Sequence, residues 1–325
     1  MKKLVLEAMR LSGVFSLTRA LSARKARILM YHNFTGPGAA DSAGLDVEGI
    51  RRQFTYLCRH FRVVPLLQLA DRLSSGRAFD PYSVALTIDD GRRNCYEFLF
   101  PLLKEFKLPA TFFVVGGFIG GDDWIWTDKV AWLSKQPNAT EELARERLAR
   151  TFVQLNRMRP VERNDWIIST AEHMEVCVPK GPPPAFMPCS WSELREMADS
   201  GLVEIGSHTV THPILSSISD EESWDELVRS RAQIEDEIGR SVRCFCFPNG
   251  MPVDYRESQV RQVSEAGYAC AVVAESGTVG RGADRYRLPR IGMERKSNTL
   301  ELSKYLDGVA HYQQELSRWL GIRGN

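Results

Sequence analysis

Short apolar runs recur along the chain, and stretches with apolar residues at helical spacing separate most of them. A short apolar run rich in β-branched residues is typical of a strand buried on both faces of a sheet. The predicted strands lie at 28–30, 61–64, 83–88, 110–115, 202–205, 244–250 (where the strand runs into a turn), 269–273 and 287–291. The predicted helices lie at 47–61, 66–76, 94–106 (kinked by Pro101), 190–198, 220–238 and 256–266. This strand–helix–strand order favours a parallel sheet in an α/β fold.

Residues 124–188 depart from this alternation. Apolar spacing predicts helices over 124–133 and 141–156, and the Pro-rich residues 179–184 form a connector. The segment is too short to bury a core of much depth, so we interpret it as a mostly helical insertion. Residues 293–325 form a C-terminal tail whose pattern is helical over 300–320.

The first 27 residues combine a basic composition with helical spacing. They hold seven Lys or Arg against the single acid Glu7, and apolar residues recur at Leu4, Ala8, Leu11 and Phe15. This pattern predicts a basic amphipathic helix over 1–27, which either lies on an anionic membrane face or packs on the domain with its basic side in solvent. Arg10 and Arg19 closely flank the apolar residues 11–18, which disfavours a cleaved secretory signal.

Composition narrows the functional classes. The 325 residues are 43% hydrophobic and 26% charged, as in ordinary globular proteins, and the net charge of +1 gives no case for a nucleic-acid partner. No stretch approaches the roughly 18 apolar residues that a membrane-spanning helix needs. Seven scattered cysteines form no Cys-x-x-Cys pair, so we expect free thiols in a reducing compartment and no zinc knuckle.

The strand at 83–88 ends in Asp89, Asp90 and Gly91. Two adjacent carboxylates at the mouth of a buried strand resist joint ionisation, and a bound metal ion removes that conflict. One carboxylate then ligates the metal while the other remains free as a general base. The alternative is a plain Asp-Gly turn, which is common after strands.

A second candidate cluster lies at His208 and His212, which three residues separate. On a helical turn this spacing places both imidazoles on one face, as metal-binding pairs require. Two His and one Asp would form a three-ligand site with an open position for water. Trp126 could stack on a sugar ring, although Trp packs more often in a core.

These motifs in this order resemble the polysaccharide deacetylases of the NodB-homology type, carbohydrate esterase family 4. The resemblance rests on TIDDG, ATFFVVG, EIGSHTVTHPILS and CFCFPNG with GYAC downstream, and it spans about 28–292. It implies a distorted (β/α) barrel with about seven parallel strands. It also implies hydrolysis of an N-acetyl or similar acyl group on an amino sugar.

The resemblance assigns roles by position. Asp89 matches the family's catalytic base, and Asp90, His208 and His212 match its metal ligands. Zinc is the expected metal, with cobalt, nickel or manganese as alternatives. The remaining residues are expected to contact the substrate: Phe247, Pro248, Asn249, Arg290 and Trp126.

Two departures from the family pattern affect the site. The Arg that orients the base in many members is replaced here by the residues of the CFCF run, and Arg290 is our candidate for its function. The usual Leu-x-x-His motif of the general acid is also missing, since His311 lies in GVAH. The run ILMYH resembles instead the N-terminal strand of the circularly permuted branch, which includes poly-N-acetylglucosamine deacetylases. That resemblance makes His32 the expected acid.

We therefore expect a metal-dependent sugar N-deacetylase acting on a glycan or lipid-linked glycan precursor, such as one for exopolysaccharide. The expected location is the cytoplasm, either free or peripheral on the inner membrane face. Two alternatives remain open. One is another amidohydrolase on the same scaffold, such as a deformylase or an enzyme that opens cyclic amides. The other is a catalytically silent glycan-binding protein.

Overall fold

A computed structural model describes residues 2–36, 44–121, 123–144, 147–293, 299–310 and 312–313. Its strands are β1 Arg27–Tyr31, β2 Phe34–Thr35, β3 Leu45–Asp46, β4 Arg62–Val63, β5 Ser83–Ile88, β6 Ala110–Val114, β7 Val203–Ser207, β8 Cys244–Cys246, β9 Cys270–Ser276 and β10 Leu288–Gly292. Its α-helices are α1 Lys2–Leu11, α2 Val14–Leu21, α3 Val47–His60, α4 Leu66–Ser74, α5 Phe100–Phe106, α6 Trp126–Leu133, α7 Leu148–Asn156, α8 Pro160–His173, α9 Trp191–Asp199, α10 Asp220–Ile238, α11 Glu257–Glu265 and α12 Thr299–Leu306.

Seven parallel strands close into a barrel in the order β1, β5, β6, β7, β8, β9 and β10. Closure occurs at β1, where Leu29 pairs with Leu86 of β5 on one side and with Ile291 of β10 on the other. The short strand β4 adds to the start of β5 outside the ring. The predicted fold, a (β/α) barrel with about seven parallel strands, is confirmed.

The barrel strands are buried on both faces, as the continuous apolar runs predicted. One set of their side chains packs with α4 in a cluster that includes Ile28, Ala85 and Phe113. The alternate set, which includes Leu29, Leu86 and Phe112, belongs to the main core formed with the surrounding helices. Successive strand side chains point to opposite faces, so each run has to be apolar throughout.

Local capping signals behave as the sequence indicated. Ser190 caps α9, its side chain accepting from the Glu193 backbone N–H while the Glu193 carboxylate accepts from Ser190. Gly239 ends α10 in the left-handed conformation.

The helix predicted at 94–106 instead begins as a π-helical turn, Cys95–Leu99, before α5. Pro101 is the second residue of α5, directly after this π-helical turn, and its missing N–H interrupts the hydrogen-bond ladder there.

The N-terminal segment differs from the single helix predicted over 1–27. It forms α1 and α2, which are separated at Gly13 because that residue has a φ of +82°. Arg27 belongs to β1 and is buried, donating to Leu306 O and to the Ser22 side chain. Of the described helices, none is both long enough and apolar enough to cross a bilayer.

The insertion contains a helix that the sequence pattern missed. The segment predicted as one helix over 141–156 begins as a 3₁₀ turn, Glu141–Leu143, with α7 following from residue 148. Helix α8 was not predicted, because its apolar residues are too sparse to form a clear stripe. The insertion buries a small cluster of its own. The members of that cluster are Val130, Leu133, Leu143, Leu155, Ile167, Ala171 and Met174.

We predict that Gly206→Ala destabilises the barrel. A Cβ at this position of β7 would lie 2.6 Å from Phe113 Cδ1 and 3.0 Å from Cys244 O, and Phe113 is fully buried. Overpacking of this kind lowers the free energy of unfolding by about 1–3 kcal/mol. The matched control is Gly280→Ala, whose Cβ meets nothing within 4 Å. Equal denaturation midpoints for the two variants would contradict this account of the barrel interior.

Candidate active site

The candidate residues meet at the carboxyl end of the barrel, around a cavity of about 420 Å³. His32 follows β1 and Asp89 follows β5, and these strands pair with Tyr31 opposite Ile88. His208 follows β7, and Arg290 lies in β10 on the other side of β1. Parallel strands bring their ends to one face of a barrel, where enzyme sites of this architecture form.

Asp90, His208 and His212 form a compact group that could hold a metal ion. Asp90 Oδ1 lies 3.8 Å from each His Nε2, and the two Nε2 atoms are 3.2 Å apart. Tetrahedral zinc with bonds near 2.1 Å places its ligand atoms about 3.4 Å apart. All three side chains are buried. Their donor types and spacing fit a divalent cation with an open position.

The two imidazoles meet in a different way from that predicted. His208 and His212 lie in a loop and not on a helical turn. Thr209 and His212 adopt left-handed backbone conformations with φ of 69° and 56°. Glu226 holds this loop by accepting from the backbone N–H groups of Val210 at 2.6 Å and Thr211 at 3.0 Å.

Both imidazoles are neutral, and that of His208 is oriented for ligation. The Cys246 carbonyl lies 2.7 Å from His208 Nδ1. A carbonyl can only accept, so Nδ1 carries the proton and Nε2 has a free lone pair. Burial lowers the pKa of His208, and it lowers the pKa of His212 to about 3, with His208 adding to that shift. Neither ring carries a positive charge at neutral pH, which keeps one nitrogen lone pair on each ring available to a metal.

Arg92 fixes the orientation of Asp90. Its Nε and Nη2 lie 3.2 and 3.1 Å from Asp90 Oδ2, which leaves Oδ1 to face the imidazoles. Burial by itself would raise the pKa of Asp90, but the Arg92 guanidinium outweighs it and holds the pKa below its usual value. The carboxylate therefore stays ionised.

Asp89 is in a different environment from its neighbour. Arg290 makes a bidentate ion pair with it, with Nη1–Oδ1 and Nη2–Oδ2 distances of 2.7 and 2.8 Å. Arg290 is itself fixed by donation to Val273 O and the Thr87 hydroxyl. Burial acts to raise the pKa of Asp89, but Arg290, with His32 contributing, holds it below the usual value. Asp89 is thus an ionised carboxylate with a fixed orientation.

Cys246 adds a second possible ligand group, formed by Asp89, His208 and Cys246. Two features disfavour it as the metal site. Burial raises the pKa of the Cys246 thiol well above its usual value, which makes the thiolate that a metal would need costly to form. Arg290 Nη2 lies 3.2 Å from its sulfur and also binds Asp89, which places a fixed positive charge at that position.

His32 lies at the mouth of the cavity. Its Nε2 is 3.6 Å from Asp89 Oδ2, and about a quarter of its side chain is exposed, at 26%. It can therefore reach both Asp89 and a molecule entering from solvent. The other candidate acid, His311, lies outside the residues that the structure describes.

Most of the expected substrate-contacting residues line the cavity: Trp126, Phe247, Asn249 and Arg290. Pro248 is buried and is not among the described residues that line it. The guanidinium of Arg290 is used by Asp89 and its other partners, so its contact with a substrate is limited.

Sequence reasoning missed several residues near the site. Phe152 and Asn156 line the cavity from α7, and their spacing of four residues places them on one helix face. That spacing was a usable signal. Arg92 and Asp128 were also missed. They meet across 36 residues of sequence, and no local pattern indicates such a pair.

The chain is similar to several known proteins. The family model for polysaccharide deacetylase matches residues 76–271. The poly-β-1,6-N-acetyl-D-glucosamine N-deacetylase of Escherichia coli K12 is 26% identical over 184 residues, which are 56% of this chain and 20% of that protein. YxkH of Bacillus subtilis is 20% identical over 226 residues, 70% of this chain and 57% of that protein. The chain thus spans only part of the length of both curated relatives.

Among solved structures, IcaB from Ammonifex degensii aligns with a TM-score of 0.62 at 19% identity, covering 87% of this chain and 97% of that one. The Streptococcus pyogenes deacetylase PplD, solved in complex with acetate, aligns with a TM-score of 0.60 at 16% identity, covering 87% and 98%. At such identities the likeness establishes the shared fold.

Proposed function

This chain belongs to the polysaccharide deacetylase family, and on that premise we propose that it is a metal-dependent hydrolase that removes an N-acetyl group from an amino sugar of a glycan. One observation carries the proposal. Two adjacent carboxylates in one cavity have separate partners: Asp89 pairs with Arg290, while Asp90 faces His208 and His212. This division suits a reaction that needs a free base beside a bound metal.

The reaction breaks the amide C–N bond with water and yields acetate and a free amine. A metal held by Asp90, His208 and His212 would polarise the amide carbonyl and lower the pKa of water. Asp89 accepts the proton that water loses as its oxygen attacks the carbonyl carbon. Arg290 keeps Asp89 ionised and directed into the cavity for this step.

His32 is our proposed general acid. The leaving nitrogen has to gain a proton, because an amide anion is a very poor leaving group. His32 suits this task because it lies at the cavity mouth, 3.6 Å from the base. Imidazole is also the one side chain whose ordinary pKa lies near neutrality.

Zinc is the metal that we propose. Two imidazoles and one carboxylate with an open position are typical of catalytic zinc sites. Cobalt, nickel and manganese accept the same donor types and remain outcomes of the metal analysis.

For the substrate we propose an N-acetylated saccharide in a glycan or lipid-linked glycan precursor. Two half-buried aromatic side chains of the cavity, Trp126 and Phe152, offer apolar surface to a sugar ring, whereas Phe247 is only 1% exposed. The similarity to a protein named as a poly-N-acetylglucosamine deacetylase supports an amino sugar.

The location that we propose is the cytoplasm. The seven cysteines are free thiols, a usage that suits this reducing compartment.

We further propose that the protein is peripheral on an anionic membrane face, docked through α1 and α2. The inner side of these helices packs through Phe15 against Leu300 and Val309. Their outer side exposes five large aliphatic side chains. These are Leu4, Val5, Leu11, Leu17 and Leu21. The exposed Arg10 and Arg24 add positive charge that complements anionic lipid.

Two basic residues counted in the sequence do not add to this surface. Arg27 is buried, and Arg19 pairs with Asp307 at 3.3 Å. The docking surface that we propose is therefore more apolar and less basic than the sequence indicated.

We predict that the purified protein releases acetate from N-acetylated glycans, that a chelator abolishes this activity, and that zinc restores it. Asp89→Asn should keep the metal and lose turnover, because it removes the base and leaves the ligands. Asp90→Asn should lose the metal as well. Acetate release and metal content, measured on the same samples, test the assignment.

The substrate panel includes N-formyl sugars and cyclic imides as controls. Turnover of these alone would favour another amidohydrolase. Glycan binding without turnover would indicate a silent site. Full activity of metal-free protein would exclude the metal, and metal loss in Asp89→Asn would mean that the two aspartates have the opposite roles.

We predict that His32→Ala binds metal normally and loses on the order of 10²-fold in kcat, as expected for a missing general acid. The matched control is His173→Ala, since His173 is exposed in the insertion. His311→Ala should also be nearly silent. Loss of turnover in His311→Ala with retention in His32→Ala would show that the tail supplies the acid.

We predict that Leu11→Gln/Leu17→Gln/Leu21→Gln reduces co-sedimentation with vesicles containing phosphatidylglycerol. The substitutions remove apolar side chains that are 89%, 60% and 66% exposed, so the fold should be unaffected. The control is Val161→Gln/Ile168→Gln, at positions 71% and 47% exposed on α8. If both variants and the wild type sediment equally, α1 and α2 do not bind the membrane and only pack on the domain.

A further inference from the structure

The first turn of α6, in the insertion, touches the backbone of one proposed metal ligand and the ion-pair partner of another. Trp126 Nε1 donates to the His212 carbonyl at 3.1 Å. Asp128 Oδ1 accepts from Arg92 Nη2 at 2.5 Å, and the same nitrogen lies 3.1 Å from Asp90 Oδ2. A single helical turn therefore reaches both sides of the metal-ligand group.

The contact with His212 matters because that residue is held in a sparsely populated conformation. Its φ of 56° is uncommon for a residue with a Cβ, and such geometry persists only where the surroundings enforce it. Its own N–H donates to the Thr209 hydroxyl at 3.0 Å. Trp126 fixes the carbonyl end of the same residue, so the two hydrogen bonds together fix the backbone from which the imidazole projects.

Trp126 is itself rigidly placed by the insertion. The Arg163 guanidinium lies 4.1 Å from the centroid of the indole, and Arg163 is only 2% exposed. Arg163 donates to Leu155 O at 3.1 Å and to Met158 O at 2.9 Å, both in or just after α7. Through these contacts, the indole couples the position of the His212 carbonyl to that of α7 and α8.

The contact with Asp90 is electrostatic. Arg92 orients Asp90, but its positive charge also competes with a metal cation for that carboxylate. Asp128 is 3% exposed and offsets this charge at hydrogen-bond distance. Burial raises the pKa of Asp128 to about 6, and Arg92, at ion-pair distance, opposes the shift and favours the ionised form.

We propose that Trp126 and Asp128 are positioning residues for the metal centre: Trp126 sets the orientation of His212, and Asp128 balances Arg92 so that Asp90 remains available to the cation. The insertion is then a structural part of the catalytic centre. This inference rests on the proposed metal site, because its effect is exerted through the ligands of that site.

Burial of charge supports a specific role over simple packing. Placing Arg92 and Asp128 in the interior carries a desolvation cost that well-packed apolar residues would avoid. Control of the charge around Asp90 would explain why Arg92 and Asp128 are buried at this position. Groups that orient metal ligands commonly affect metal affinity by about 10–100-fold.

The test is the zinc affinity of the full-length protein, measured by competition with a chromophoric chelator. Trp126→Phe keeps an aromatic ring and removes the N–H, and Asp128→Asn keeps the shape and removes the charge. Each should weaken zinc binding by about 10-fold or more. Trp132→Phe in the same helix and Asp123→Asn, whose partner is Lys129, are the matched controls and should change it less than about 2-fold.

A double-substitution cycle tests the route through Arg92. If Asp128 acts by balancing Arg92, Asp128→Asn should cost little further affinity in an Arg92→Gln background. An equal loss in both backgrounds would overturn that route. Circular dichroism identifies any variant that fails to fold. If another variant fails, the isosteric Asp128→Asn decides whether the positioning role holds.

The outcomes separate this inference from the proposed function. Wild-type protein that binds no divalent metal would refute the metal site, and this inference with it. Wild-type protein that binds zinc tightly, while Trp126→Phe and Asp128→Asn bind it equally well, would refute only the positioning role.

Discussion

The ion pair between Arg290 and Asp89 is the interaction on which the rest of the site depends. Two adjacent aspartates at the end of one buried strand would repel each other if both were left without partners. Arg290 binds one of them with two hydrogen bonds, and the other is left to face the imidazoles. Closure of the barrel makes this pairing possible, because β1 lies between β10, which carries Arg290, and β5, which leads to Asp89.

The buried charges around the site form a balanced set. Asp89, Asp90 and Asp128 contact Arg92 and Arg290, giving a formal charge of −1 when all are ionised. A divalent cation would make that charge +1, which favours the negative oxygen that develops as water adds to an amide. Burial strengthens each of these interactions, because few water molecules screen them. The same burial makes each partner costly to remove, so the site depends on the whole network.

Local sequence signals identified much of this protein, because they depend on nearby residues. Apolar runs located the barrel strands, and the Ser190–Glu193 pair located the start of α9. Parallel topology indicated that His32 and Asp89 would lie at one face. The His208–His212 loop escaped prediction because left-handed residues leave no periodic pattern. The link from Asp128 through Arg92 to Asp90 was not predicted, because it joins segments that are distant in the sequence through charge alone. Arg290 was identified by asking which cation could replace the base-orienting Arg of the family, which this sequence lacks at its usual position.

The most direct test of this account is a crystal structure of the protein with cobalt or zinc bound, with the metal located by anomalous scattering. The account predicts a single metal within about 2.0–2.2 Å of Asp90 Oδ1, His208 Nε2 and His212 Nε2, with Asp89 still paired to Arg290. A metal bound instead by Asp89, His208 and Cys246, with the Arg290 pair broken, would contradict it.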